Sequence, residues 1–386
     1  MPSQKPSLVH ALVVGLAAFC QDAKGITIHD GEDDSAREAI RAKALEIGSG
    51  LPGLGYALGE RTNGQLIRAG SIVKISDSLA ISAGHVSYHF QDGDYKSMKV
   101  GFGNFTDGIN SNEPTYDVVS IARHPNIDLA VLGMDGLAGV GIPDAEYTTT
   151  PANLGQLVHF GGYGLLSHEG GSPIGNANKL GARGYIGEFI HPDFPDFYQY
   201  VEFSGTQSAP SYHDEGGLVD SGDSGGGVYI QEGSGGYKLI GLNTVRSGLN
   251  EYGEFSGFLP LALPTAYRFI HHFLDTDNDG NSDFLEEAFG SNALSPNTFP
   301  YPVLQNTSSG DGQQWVTSHL GLADGSITYQ GQFSQDLKTW QDAAPATNPP
   351  GLPPPPANYE WISWEAPSQT TKGFLRIQAE ADLSAP

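Results

Sequence analysis

Three residue types able to do covalent chemistry together stand in short, well-marked segments of this chain. Ser224 lies in Gly222-Asp223-Ser224-Gly225-Gly226, His85 in Ile81-Ser82-Ala83-Gly84-His85-Val86, and Asp128 in His124-Pro125-Asn126-Ile127-Asp128-Leu129-Ala130. A serine hydroxyl is a weak nucleophile until a base takes its proton and donors stabilise the oxyanion it creates. Glycines on both sides of Ser224 permit a tight turn in which amide N–H groups can face that oxyanion. His85 is the candidate base and later acid. Asp128, framed by apolar neighbours, is the candidate carboxylate that orients the imidazole, because an unpartnered carboxylate would not be left in such a setting. The competing residues are His89 for the base and Asp117 for the acid, and Asp117 lacks the apolar frame.

The chain order His, Asp, Ser resembles that of the chymotrypsin/trypsin-like serine peptidases. The alternative reading of G-x-S-x-G, the nucleophile elbow of α/β-hydrolases, needs its histidine after the serine. Only His271, His272 and His319 follow Ser224, and the upstream chain lacks helices alternating with strands. The resemblance implies an all-β fold of two six-stranded antiparallel barrels with the active site in the cleft between them. The first barrel would supply His85 and Asp128, and the second Ser224. It further implies an oxyanion hole from the amides of Gly222 and Ser224, a Thr244 hydroxyl on the triad acid, and a freed N-terminal amine paired with Asp223. Gly84 and Gly227 depart from the alanine and proline usual at those places, and neither touches a reacting atom. Leu218 stands where members that cut after basic residues carry an aspartate. Asp220 leaves an acidic pocket open, and Arg246 could favour an acidic residue or point to solvent.

A second motif follows. Asp275-Thr276-Asp277-Asn278-Asp279-Gly280-Asn281-Ser282-Asp283-Phe284-Leu285-Glu286 fits the twelve-position EF-hand pattern. Asp275, Asp277 and Asp279 would offer carboxylates to calcium and Asn281 its carbonyl. Asp283 would bind directly or through water, and Glu286 with both oxygens. Gly280 permits the sharp turn. The segment resembles single calcium-binding repeats of the thrombospondin type-3 or dockerin kind, and one loop between folded units reads as a structural joint rather than a sensor.

The elements that must position these residues are short strands broken by glycine between about Tyr56 and Tyr267. Gln65–Ile75, Ser78–Ser82, Lys96–Phe102, Leu129–Leu132, Leu157–Gly161, Tyr237–Val245 and Glu254–Leu261 are expected strands. Residues 26–34 read as acidic and flexible. Ser35-Ala36-Arg37-Glu38 reads as a capping box for a helix carrying Ala36, Ile40, Ala44 and Ile47 on one face. Pro264–Leu274 reads as the closing helix and Phe284–Phe289 as a shorter one leaving the calcium loop. Alternating aromatic-rich segments after Asn297 predict a small C-terminal β-sandwich, with Pro349–Pro356 as an exposed loop. The expected domains are therefore a signal peptide at 1–25, an extension or propeptide at 26–55, a peptidase domain at 56–274, a calcium loop at 275–297 and a β domain at 298–386.

Composition sets outer bounds. Lys5, an apolar run from Leu8 to Phe19 and then Ala23-Lys24-Gly25 match a secretory signal peptide, and the run is short of the roughly 20 apolar residues of a spanning helix. Its removal would take away Cys20, the single cysteine, so no disulfide is expected in the mature, secreted chain. A formal charge of −25 repels phosphate backbones and anionic lipid, which argues against nucleic-acid and membrane partners. The expected activity is a serine endopeptidase acting on polypeptides with no cofactor in the chemistry. A catalytically silent binding module and an esterase using the same triad are the alternatives. The partner of residues 298–386 is left open.

Overall fold

The structure is a computed structural model that describes residues 26–30, 33–88, 95–103, 114–164, 166–168, 178–188, 197–233, 235–248, 251–296, 302–309, 312–367 and 373–381. The expected signal segment, Cys20 and His89 lie outside the described residues. No helix among the described residues is long and apolar enough to cross a membrane. The chain divides into two units, residues 1–266 and 267–386.

The first unit holds two closed six-stranded antiparallel barrels. One is built from β2 (Leu54–Arg61), β3 (Leu66–Lys74), β4 (Leu79–Ser82), β5 (Tyr95–Gly101), β6 (Thr115–Arg123) and β7 (Ala130–Met134), in the order β2-β3-β4-β7-β6-β5. The other uses β8 (Leu157–Gly162), β10 (Leu180–Gly187), β11 (Gln199–Glu202), β13 (Gly227–Glu232), β14 (Gly236–Arg246) and β15 (Phe255–Pro260), in the order β10-β11-β15-β14-β13-β8. Closure removes the edges that would otherwise expose unpaired backbone groups. Each barrel encloses its own apolar core. Ala57, Ile72, Val86, Val100 and Leu132 fill the first. Val158, Phe160, Leu180, Val201, Ile240 and Phe258 fill the second. Burial of each large apolar side chain is worth about 1.5–3 kcal/mol, and here that must serve without cross-links.

Two corrections concern the N-terminal stretch. Residues 26–28 are not a loose acidic lead but contain a short strand, β1 (Thr27–Ile28), pairing antiparallel with β12 (Gly217–Leu218) and parallel with β9 (Ser167–His168). Ile26 and Ile28 join the second barrel's core, and that apolar burial overrides the polar character of the neighbouring sequence. The helix α1 (Asp34–Gly50) is capped by Asp33, whose side chain accepts from Ala36 N, and not by Ser35. Its Ala44, Ile47 and Gly48 are buried. A Cβ on Gly48 would stand 2.3 Å from the Lys179 carbonyl oxygen, so glycine there lets the helix seat against the backbone.

The second unit takes in most of the helix α2 (Pro264–His271) together with α3 (Asp283–Phe289) and two antiparallel sheets. The four-stranded sheet has the order β16 (Val303–Ser309), β17 (Gly312–Leu322), β21 (Tyr359–Glu365), β20 (Ala344–Pro345). The three-stranded sheet runs β19 (Gln341–Asp342), β18 (Ile327–Ser334), β22 (Phe374–Ala381). Phe284, Ala288 and Phe289 of α3 form a core with Ile327, against which Leu322, Tyr329 and Ile377 pack. The segment Pro349–Pro356 is irregular and largely exposed, with the Pro353 carbonyl accepting from Trp361 Nε1 at 2.7 Å.

Candidate active site

His85 sits in a single 3-10 turn (Gly84–Ser87) directly after β4, so the buried strand fixes its position. Asp128 lies in the loop entering β7, and β4 and β7 are paired through Ser82↔Ala130. That pairing delivers acid and imidazole side by side. Asp128 Oδ2 lies 2.7 Å from His85 Nδ1, and its Oδ1 accepts the His85 backbone N–H at 2.8 Å. Both carboxylate oxygens therefore hold one residue, leaving Nε2 as the ring nitrogen for other work. Burial disfavours the imidazolium, but the Asp128 charge and hydrogen bond prevail and hold the His85 pKa above its ordinary 6.5.

Ser224 lies in the loop before β13. Its carbonyl accepts Ser71 N at 2.8 Å, and the neighbouring Gly222 carbonyl accepts Ser71 Oγ at 2.8 Å, so β3 of the first barrel grips this loop of the second. A Cβ on Gly70 would meet both Val86 at 2.7 Å and the Ser224 carbonyl oxygen at 2.9 Å. A Cβ on Gly225 would meet Ser82 Oγ at 2.1 Å and Ala83 N at 3.0 Å. The serine loop and the His85 turn thus share one wall. No hydrogen bond joins Ser224 Oγ and His85 among the described residues, and such bonds often tighten only when substrate binds.

The turn around Ser224 sorts its amides. Asp223 N bonds the Asp220 carbonyl, Gly225 N the Asn243 carbonyl and Gly226 N the Asp223 carbonyl. The N–H groups of Gly222 and Ser224 make no such bond among the described residues. Gly222 and Gly225 have φ of 97° and 83°, a left-handed backbone that glycine adopts without strain.

Asp223 is fully buried. Burial pushes its pKa up to about 7, against the pull of backbone N–H donors and of the Arg68 charge. Gly164 N donates to its Oδ1 at 2.7 Å and Asp220 N to its Oδ2 at 3.0 Å. Arg68, on β3, donates through Nη1 to the Tyr163 carbonyl at 2.7 Å, and its Nε would lie 3.2 Å from a Cβ on Gly222. Neither Arg68 nor Tyr198 stands out in the sequence. Tyr198 precedes β11, and burial, with the Asp128 charge as a lesser cause, raises its phenol pKa. Thr244 Oγ1 donates to the Gly257 carbonyl at 3.4 Å, and no bond from Thr244 to Asp128 occurs among the described residues. Asp117 stands apart on exposed β6, paired with Lys99.

The acidic loop is built within the second unit. Ligand atoms of Asp275, Asp277 and Asp279 lie within 4.8 Å of one another. Asn278 and Gly280 adopt φ of 59° and 94° in the turn. Asp277 Oδ2 and Glu286 Oε2 are buried with no hydrogen-bond partner among the described residues, and Glu286 is fully buried. Burial, then the charges of Asp277, Asp279 and Asp283, raises the Glu286 pKa. Asn281 sits in the loop with its N–H and side-chain amide donating to Asp279 Oδ1. Asp283 accepts Thr276 N at 2.8 Å and Thr276 Oγ1 at 2.6 Å, and His271 Nδ1 lies 3.4 Å away. The close set of Asp275, Asp277 and Asp279 suits a hard cation, and Asp277 Oδ2 and Glu286 Oε2 have no hydrogen-bond partner among the described residues. Comparison with known proteins found no family model that matches the chain and no match among curated proteins.

Proposed function

We propose that this chain is a serine endopeptidase with a chymotrypsin-like double barrel. The observation that carries the reading is the two-point hold of Asp128 on His85, at 2.7 and 2.8 Å, against the wall that also bears Ser224. In this reading Ser224 Oγ attacks the peptide carbonyl carbon while its proton passes to His85 Nε2. The tetrahedral oxyanion is met by the N–H groups of Gly222 and Ser224. Collapse breaks the C–N bond, and the leaving amine takes the proton from His85. Water, deprotonated by the same nitrogen, then cleaves the acyl-enzyme. Asp128 keeps the imidazole in the tautomer that presents Nε2 as acceptor.

Calcium is part of the proposal as a structural ion, held by Asp275, Asp277, Asp279, the Asn281 carbonyl and Glu286, where it would neutralise crowded carboxylates. Secretion by the N-terminal signal, and a polypeptide as the substrate, belong to the same reading.

Treatment of purified protein with a fluorophosphonate probe and with casein tests it. Wild type is expected to be labelled at Ser224 and to degrade casein, and Ser224→Ala to lose both with melting unchanged within a few degrees, since a half-exposed hydroxyl contributes little to stability. Label with ester turnover alone identifies an esterase, and no label identifies a silent relative.

A further inference from the structure

We propose that the ion pair between Arg246 and Asp220 sets the specificity of the Ser224 cleft, barring basic side chains and admitting uncharged ones. This deepens the endopeptidase reading and rests on it. Arg246 ends β14, and β14 is tied to the nucleophile loop: the Asn243 carbonyl accepts Gly225 N and Asn243 N donates to the Gly226 carbonyl, both at 2.8 Å. Asp220 lies on the opposite approach, four residues before Ser224, with its carbonyl accepting Asp223 N at 3.0 Å. Val219 N donates to Ser256 Oγ at 2.8 Å, and Ser256 faces Arg246 in the β14–β15 register. The segment leading into Ser224 and the end of β14 are therefore two walls beside the nucleophile, and Arg246 Nη2 to Asp220 Oδ1, at 3.1 Å, spans them.

The two charges are not equally accessible. The Asp220 side chain is 0% exposed and that of Arg246 is 29% exposed, so the guanidinium is the charge an entering side chain meets first, while Asp220 Oδ1 also accepts Ser221 N at 2.6 Å. A lysine or arginine side chain entering here meets the like charge of Arg246 first. It could reach Asp220 only by displacing a guanidinium already paired with it, which leaves one cation unpaired in a partly buried place. An acidic side chain gains little, because Arg246 Nη1 is donated to the Gly248 carbonyl at 2.8 Å while Nη2 faces Asp220. An uncharged side chain disturbs neither partner. The substrate class that follows is polypeptide cut after uncharged residues.

Peptides differing only in the residue whose carbonyl is attacked (Leu, Glu or Lys) test this by their kcat/KM. The wild type is expected to favour Leu over both charged residues. Arg246→Ala uncovers Asp220, so the Lys/Leu ratio should rise about tenfold or more, the size of one gained charge pairing in a cleft. Arg246→Gln, which keeps most of the side-chain bulk, should raise it in the same direction. Adding Asp220→Asn to either variant should abolish the rise. A wild type that prefers Lys, or a Lys/Leu ratio within twofold of wild type in both Arg246 variants while Ser224 still takes the fluorophosphonate, overturns the inference and leaves the endopeptidase reading standing. Absence of fluorophosphonate capture by the wild type overturns both.

Discussion

At the scale of single residues the decisive balance is at His85. Its burial opposes protonation, but Asp128 at 2.7 Å wins and the pKa lies above 6.5. A histidine raised on folding stabilises the protein fully below 6.5, and that contribution is lost as pH rises through the folded-state value. The proposed catalysis would run the other way, because only the neutral ring can accept the Ser224 proton. The rate of fluorophosphonate capture should therefore climb with pH to a midpoint above 6.5. Asp128→Asn should slow capture by about a thousandfold or more and move the midpoint down, since the charge that favours imidazolium is gone. A midpoint at or below 6.5 in the wild type would remove the Asp128–His85 coupling from the mechanism. His85, Asp128 and Ser224 stood out in the sequence because each sits in a short motif of distinctive composition, and the structure pairs the first two. Arg68 and Tyr198 were not, because their relation to Asp223 and Asp128 exists only after the chain closes on itself. Asp283 shows the same limit in another form: spacing suggests a ligand, and its bonds to Thr276 and its approach to His271 are seen only in the fold.

At the scale of elements, alternating apolar residues and glycine-rich turns made β3, β4, β5, β7, β8, β14 and β15 readable to within a residue or two, while β2, β6, β10, β11 and β13 were not marked out by the sequence. β1 was not readable, since two residues carry no periodicity and its partners β9 and β12 are about 140 and 190 positions away. What period-two reasoning also misses is how closely strands and turns approach. A Cβ on Gly226 would lie 2.0 Å from the Gly161 carbonyl oxygen on β8, with backbone on both sides. Gly226 N and its carbonyl are meanwhile fixed by Asp223 and Asn243. No side-chain rotation relieves that clash, so Gly226→Ala must displace the nucleophile turn itself. It should cost about 3 kcal/mol or more of stability and abolish fluorophosphonate capture. Gly155→Ala, at a left-handed position with open space around it, should cost only about 1 kcal/mol and spare capture. Urea melts of the two variants, read beside labelling, decide whether the close approach at Gly226 costs more than the left-handed strain at Gly155.

At the scale of the whole molecule, a chain with formal charge −25 concentrates part of that charge in one loop of its second unit. Asp275, Asp277 and Asp279 crowd together while Glu286 is buried with Oε2 unpartnered, so without a cation their mutual repulsion opposes folding. The loop continues into α3, whose Phe284 and Phe289 enter the core beneath β18. Tyr329 Oη and Tyr359 Oη bind the carbonyls of Ala288 and Glu287 at 2.7 and 2.8 Å. Loosening the loop therefore loosens the packing of residues 267–386. Nothing in the chemistry proposed for Ser224 calls for the ion. At calcium about a hundredfold above its Kd, binding to the folded state alone contributes about 2.7 kcal/mol. EDTA should accordingly lower the melting transition of the wild type by on the order of ten degrees, and added calcium should restore it. Asp277→Asn combined with Glu286→Gln should melt at one temperature with or without calcium, because the two unpartnered oxygens no longer carry charge. Fluorophosphonate capture below the melt should survive chelation. Unchanged melting in EDTA would reduce the loop to an acidic connector. Immediate loss of capture without unfolding would instead overturn a purely structural role for the ion.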